Sequence, residues 1–218
     1  MTRNLFVTGT DTEVGKTRIS VGLIKVLQRQ GLRVAAMKPV ASGCEWQDGQ
    51  LQNEDALALI EQSDIKLPYS QVNPYAFEPA IAPHLAAQQV GQTISLKVIE
   101  THFAAMQRHA DAFVVEGAGG WLVPLNDNQT IADLAKALNL PVVLVVSIKL
   151  GCINHALLTV QAIADSGLSL AGWVANDFLD DSESTAIIQS LTQRITAPCL
   201  GVVPKLEDDE DASAWLKL

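Results

Sequence analysis

Runs of branched apolar residues recur along the chain: LFVT at 5–8, VAAM at 34–37, AFVVE at 112–116, VVLVVS at 142–147, LAGWVAN at 170–176 and CLGVV at 199–203. None alternates apolar with polar positions. Each therefore predicts a strand buried on both faces, as strands are when helices cover both sides of a parallel sheet. Between them the apolar positions take helical spacing over 16–30, 54–62, 95–109, 130–139, 153–166 and 183–195. Gly31 and Gly167 stand where a helix takes a left-handed stop, and Pro141 follows Leu140 where a helix cannot continue. Strand and helix alternate. The pattern predicts an α/β fold with a doubly wound, mostly parallel sheet and helices on both faces, in a single domain over 1–218, with ligands at the carboxyl ends of the strands. The segment 67–93, with Pro68, Pro74, Pro79 and Pro83, reads either as an extended excursion near the site or as a plain surface connection.

Composition narrows the partners. With 218 residues, 48% hydrophobic and 18% charged, the chain can bury one substantial core. Its 15 basic and 24 acidic side chains give a net charge of -9, which repels a phosphate backbone, so no nucleic-acid partner is expected. Cys44, Cys152 and Cys199 are odd in number and lack metal-ligand or CxxC spacing, which fits a reduced cytosolic compartment; all three read as small buried core residues. The start, MTRNLFVTG, has no apolar signal-peptide core, and the longest apolar run, 141–146, is too short to span a bilayer. A cytoplasmic protein with no membrane partner is expected.

GTDTEVGKT at 9–17 resembles a P-loop with one residue too many, because Gly9 and Gly15 enclose five residues where the ordinary pattern has four. A strand precedes it and a helix follows, so loop N–H groups and the helix amino end converge on one anion site. There Lys16 can reach a β- or γ-phosphate and the Thr17 hydroxyl can ligate Mg²⁺. The competing reading, a chance strand-turn-helix with a surface lysine, has the complete context against it. The wider loop can also turn Thr12 and Glu13 toward something other than nucleotide.

Carboxylates suited to Mg²⁺ stand in the expected places. Glu116 closes AFVVE and leads into Gly117, Ala118, Gly119 and Gly120, like a Walker B acid with Glu in place of Asp. Asp55, in NEDALAL, reads either as a second metal ligand or as a first-turn acid favoured by the helix dipole. Lys38 follows the strand 34–37 and reads either as a holder of an anion beside the γ-phosphate or as a solvated strand-end charge.

Four stretches taken together, GTDTEVGKT, KPVASG, VEGAGGW and KLGCINHA, resemble the dethiobiotin synthetases, P-loop NTPase-like enzymes whose loop has this five-residue spacing. NPYAF at 73–77, APH at 82–84 and GWVAND at 172–177 extend the resemblance from Asn4 to about Pro204. It implies a ligase that joins 7,8-diaminononanoate, CO₂ and ATP into dethiobiotin, ADP and phosphate, through a carbamate and a carbamic-phosphoric anhydride. It implies catalytic roles for Lys16 and Lys38, and a Mg²⁺ site on Thr17, Asp55 and Glu116. ATP contacts are implied for Glu13, Val14, Gly15, Lys16, Thr17, Arg18, Asp55, Glu116, Gly117, Ala118, Gly119, Asn176, Asp177, Pro204, Lys205 and Leu206, with Asn176 recognising adenine. Substrate contacts are implied for Thr12 and Ser42, and for Gly151, Cys152, Ile153 and Asn154. In the family that last segment serves the neighbouring subunit, so a homodimer is implied.

The chain departs from the family at 204–206, where Pro-Lys-Leu replaces a usual proline-aromatic-leucine stretch, which implies a looser preference for ATP. The acidic run that follows, 207–211, reads as a solvated face. Two rival functions are a partitioning-type regulatory P-loop ATPase and a non-catalytic nucleotide-binding module. Against the first, the loop start reads Gly9-Thr10-Asp11 without the additional lysine usual there. Lys38 with Ser42 argues against the second.

Overall fold

A computed structural model describes residues 4–178, 182–207 and 210–218. In chain order the elements are β1 (Asn4–Gly9), α1 (Lys16–Arg29), β2 (Val34–Met37), β3 (Val40–Ser42), β4 (Glu45–Gln47), β5 (Gln50–Gln52), α2 (Glu54–Gln62), α3 (Tyr69–Val72) and β6 (Tyr75–Phe77). They continue as α4 (Pro83–Gln89), α5 (Leu96–Met106), β7 (Ala112–Gly120), α6 (Ile131–Leu138), β8 (Val142–Ser147), α7 (Cys152–Asp165), β9 (Leu170–Asn176), α8 (Ser182–Arg194) and β10 (Cys199–Val203), and end in a short 3₁₀ turn, η1 (Ala212–Trp215).

Each of the six apolar runs is a strand, and together they form one parallel sheet in the order β10-β9-β8-β1-β7-β2. Side chains of β1 alternate between its faces with the strand period of two. Phe6 packs with Phe113, Val115 and the apolar stripes of α5 and α6, while Leu5 and Val7 pack with Ile19, Leu23 and Ile24 of α1. Helices α7 and α8 cover Leu144, Val146 and Trp173 of β8 and β9. Because β1 lies between β8 and β7, the order reverses around it, and the loop leaving its carboxyl end opens at the switch point where α/β sheets hold ligands.

The helix over 95–109 is shorter than expected, ending at Met106. The segment 67–93 is not simply extended. It carries α3, β6 and α4, and β6 pairs in parallel with β3. A hairpin, β4–β5, precedes α2 and turns through Asp48 and Gly49, both at positive φ.

Two expectations about side chains are corrected. Cys44 and Cys152 are buried, but Cys199 is exposed, because β10 is an edge strand whose pattern leaves its first residue outside the core. Of the acidic run at 207–211, Asp208 and Asp209 lie outside the described residues, and Asp211 is no plain solvated charge. It accepts from Ser213 N at 2.8 Å at the start of η1 and lies 3.2 Å from Lys25 and 3.6 Å from Arg29 of α1. Among the described residues, no helix is long and apolar enough to cross a membrane.

Candidate functional site

A cleft of about 730 Å³ opens over the carboxyl ends of β1, β2 and β7. Both lysines singled out in the sequence line it, together with Thr12, Glu13, Gly15, Thr17, Ser42, Asp55, Ala118 and Gly119. The loop 10–15 reaches this position through two left-handed residues, Glu13 at φ 57° and Gly15 at φ 87°. Gly15 is doubly constrained: a Cβ there would stand 2.0 Å from Asn176 Nδ2, so neither the dihedral nor the space admits a side chain. Asn176 Nδ2 donates to Val14 O at 2.9 Å, which ties the loop to the end of β9. On the far wall Gly119, at φ 63°, lets the end of β7 approach Thr12; a Cβ would lie 3.5 Å from the Thr12 hydroxyl and 2.9 Å from Val123.

The two ammonium groups sit in different electrostatic settings. Lys38 is almost fully buried, and its Nζ lies 2.5 Å from Glu116 Oε1, 2.9 Å from Asp55 Oδ2 and 3.4 Å from Gly117 O. Burial alone would lower its pKa, but the two carboxylates outweigh it and hold the ammonium above its ordinary value. Lys16 has a weaker partner, the carbonyl of Asp11 at 2.9 Å. Burial, helped by the nearby charge of Lys38, pulls its pKa down to about 8. Asp55 gains from the arrangement: burial would raise its pKa, but Lys38 and the Thr17 hydroxyl carry it below the usual carboxylate value.

The Thr17 hydroxyl lies 2.6 Å from Asp55 Oδ1 and 3.0 Å from Glu116 Oε1, with one hydrogen to share between them. Glu116 is 0% exposed, and its Oε2 has no hydrogen-bond partner. Such a surplus of hard oxygen lone pairs around one point fits a small divalent cation, and Mg²⁺ commonly takes one or two carboxylates plus substrate phosphates and water. Among the described residues there is no group of three or more His, Cys, Asp or Glu placed to hold a metal, so the set here is two carboxylates and a hydroxyl.

The structure gathers most of the expected residues and separates some. Val14 is a core residue at 1% exposure, so only its backbone faces the loop. Asn176, Asp177, Pro204, Lys205 and Leu206 do not line the cleft and form a second group at the ends of β9 and β10. Asp177 N donates to Val203 O at 2.7 Å, and Arg18 Nη1 donates to Leu206 O at 2.9 Å and Glu207 O at 3.0 Å, so the ends of β9 and β10 are held beside the first turn of α1. Gly151, Cys152, Ile153 and Asn154 are not in the cleft wall. They lie at the start of α7, next to Leu150, which is 98% exposed.

Sequence reasoning missed Asn53, Ala41, Val123 and the stretch of Ala80, Ile81, Ala82 and Pro83, all of which line the cleft. The prolines of 67–93 marked that stretch as unusual without saying which wall it forms.

A family model described as "AAA domain" matches residues 3–213. The chain is 53% identical over 211 residues to the ATP-dependent dethiobiotin synthetase BioD of Pseudomonas aeruginosa, covering 95% of this chain and 92% of that one. It is 51% identical to the protein of that name from Cellvibrio japonicus, with 98% and 95% covered, and 47% identical to BioD 1 of Escherichia coli O157:H7, with 98% and 96% covered. Among solved structures it resembles a ParA family ATPase from Chlorobium tepidum, at TM-score 0.58 and 13% identity over 95% of this chain and 87% of that one. It also resembles the septum site-determining protein MinD with Mg-ADP from Pyrococcus horikoshii, at TM-score 0.56 and 18% identity over 94% and 82%. At those identities the structural likenesses establish a shared P-loop NTPase-like fold.

Proposed function

The chain belongs to the ATP-dependent dethiobiotin synthetase family, and from that premise we propose that it closes the ureido ring of dethiobiotin from 7,8-diaminononanoate, CO₂ and ATP. The observation that carries this reading is the convergence of Lys16, Lys38, Thr17, Asp55 and Glu116 on one cleft.

One amine of the substrate adds to CO₂ and loses a proton, leaving a carbamate. A carbamate oxygen attacks the γ-phosphorus while the bond to the ADP oxygen breaks. The second amine then attacks the carbamoyl carbon and expels inorganic phosphate, closing the ring. Each stage carries negative charge, so positioned cations and donors supply the catalysis.

In this reading Lys16 and the N–H groups at the start of α1 hold the β- and γ-phosphates, and Lys38 holds the carbamate beside them. Thr12 and the Ser42 hydroxyl, whose oxygen is buried without a partner, contact the diamine side. Thr17, Asp55 and Glu116 would hold Mg²⁺, which would supply positive charge to neutralise the phosphate oxygens. Asn176, with Asp177, Pro204, Lys205 and Leu206, takes the adenine end, and Arg18 secures that wall. The whole of 1–218 acts as one synthetase domain, in the cytoplasm. Residues 151–154, lying outside their own cleft, serve the cleft of a second copy in a homodimer, where N–H groups at the start of α7 meet the substrate carboxylate.

Lys38→Leu would remove one charge from the reacting centre, and groups of this kind typically contribute on the order of 3 kcal/mol to the barrier. The deciding experiment incubates the protein with Mg-ATP, bicarbonate and the diamine. ADP release that depends on the diamine supports the reading. ADP release that ignores it favours a regulatory ATPase of the partitioning type, and nucleotide binding without turnover favours a passive module.

A further inference from the structure

A ring of contacts behind the cleft links the lysine of one wall to the carboxylate of the other. Lys38 N donates to Val72 O at 3.0 Å, and Asn73 Nδ2 donates to Lys38 O at 2.6 Å, so the peptide groups on both sides of Lys38 are held by the end of α3. The Tyr69 hydroxyl donates to Asn73 Oδ1 at 2.7 Å and accepts from Asn53 N at 2.8 Å. Asn53 is the residue that caps α2, accepting at Oδ1 from Ala56 N at 3.4 Å, and Asp55 is the second residue of that helix. The Asp55 carboxylate closes the ring on the Lys38 ammonium at 2.9 Å.

We propose that Tyr69 and Asn73 are positioning residues that set the Lys38 ammonium and the Asp55 carboxylate relative to each other, and through Asp55 the oxygen set that would take the divalent cation. This rests on the functional reading above. Asn73 is 3% exposed and uses both ends of its amide. The Tyr69 hydroxyl joins the Asn73 side chain to the α2 cap, and burial pushes its pKa up to about 12, so it stays a neutral donor and acceptor. Removing that oxygen leaves Asn53 N without its acceptor and Asn73 Oδ1 without its donor, and frees the start of α2 to shift. Partners that orient a metal ligand typically change metal affinity or activity about tenfold or more.

The test compares Tyr69→Phe with Ser63→Ala. Ser63 donates to Leu59 O at 2.7 Å from the opposite end of α2, so its loss is structural and remote from the cleft. Thermal unfolding is expected to fall in both. Binding of ADP, followed by calorimetry across a Mg²⁺ titration, is expected to need about tenfold more Mg²⁺ in Tyr69→Phe and the wild-type concentration in Ser63→Ala. Turnover with saturating substrates should fall in step in Tyr69→Phe alone. An unchanged Mg²⁺ requirement in a folded Tyr69→Phe, or an equal shift in both variants, overturns the proposal. If Tyr69→Phe does not fold, Asn73→Ala is measured by the same criterion. Should the wild type show no diamine-dependent ADP release, the functional reading fails, while the Mg²⁺ comparison still decides whether the ring positions the cation oxygens.

Discussion

At the scale of single residues, the site turns on two lysines with opposite surroundings. Lys38 is neutralised by two carboxylates, whereas Lys16 is buried against a carbonyl. With a pKa lowered to about 8 from 10.5, Lys16 binds fewer protons in the folded chain than in the unfolded one between those values, so its contribution to stability grows as pH rises through that window. A bound triphosphate favours the charged form. Nucleotide binding should therefore take up as much as about one proton at about pH 9, and much less at about pH 7.5, where Lys16 is already mostly charged. The dependence of calorimetric heat on the buffer's ionisation enthalpy measures this directly; equal uptake at both pH values would contradict the low pKa. For Lys38→Leu the expected loss of turnover is about a hundredfold or more. In the absence of Mg²⁺ this variant should also melt earlier, because Glu116 keeps its full burial and loses its counter-charge. Near-normal dethiobiotin formation by the variant would reject the catalytic role.

At the scale of elements, α1 serves both the site and the core. Its first turn carries Lys16 and Thr17, and its inner face buries Ile19, Leu23, Ile24 and Leu27 completely or nearly so, each contributing roughly 1.5–3 kcal/mol. Its outer side is closed by the chain end. Gly22 packs so tightly against η1 that a Cβ would stand 2.8 Å from Leu216 Cδ1 and 3.2 Å from both Ala212 Cβ and Ser213 N. Gly22→Val is expected to destabilise the fold by about 1–3 kcal/mol through overpacking, read as a lower urea midpoint with the slope unchanged. The helix itself was legible from the spacing of its apolar positions. Its cover by η1 was not, because Ala212 and Leu216 are too few to make a pattern and reach α1 only after the sheet has assembled.

At the scale of the whole molecule, the parallel order places the carboxyl ends of β1, β2 and β7 around one cleft while the ends of β9 and β10 meet beside the first turn of α1. Residues 151–154 belong to neither group, and Leu150 beside them is almost wholly exposed. In the proposed homodimer, Leu150→Asp should give a monomer by sedimentation and weaken the diamine more than the nucleotide. Unchanged sedimentation and diamine affinity would count against the shared site. A nucleotide that binds only the folded chain should raise its unfolding free energy by about 2.7 kcal/mol at a hundred times its dissociation constant.

The six strands, the helices between them and the anion loop were readable without coordinates, because apolar periodicity and the glycine spacing are local properties of the chain. The resemblance of GTDTEVGKT, KPVASG, VEGAGGW and KLGCINHA to one family also needed no coordinates. For Asp55 and Lys38 the sequence left two readings each, since a first-turn acid and a strand-end lysine look alike whether or not they meet. Only the folded chain decides that they meet: Asp55 lies within hydrogen-bond distance of Lys38, 17 residues away, and of Thr17, 38 residues away. The same holds for the ring through Asn53, Tyr69 and Asn73 and for the cleft wall at 80–83. Their positions depend on long-range packing of α2, α3 and β6, and no short window of sequence contains that information.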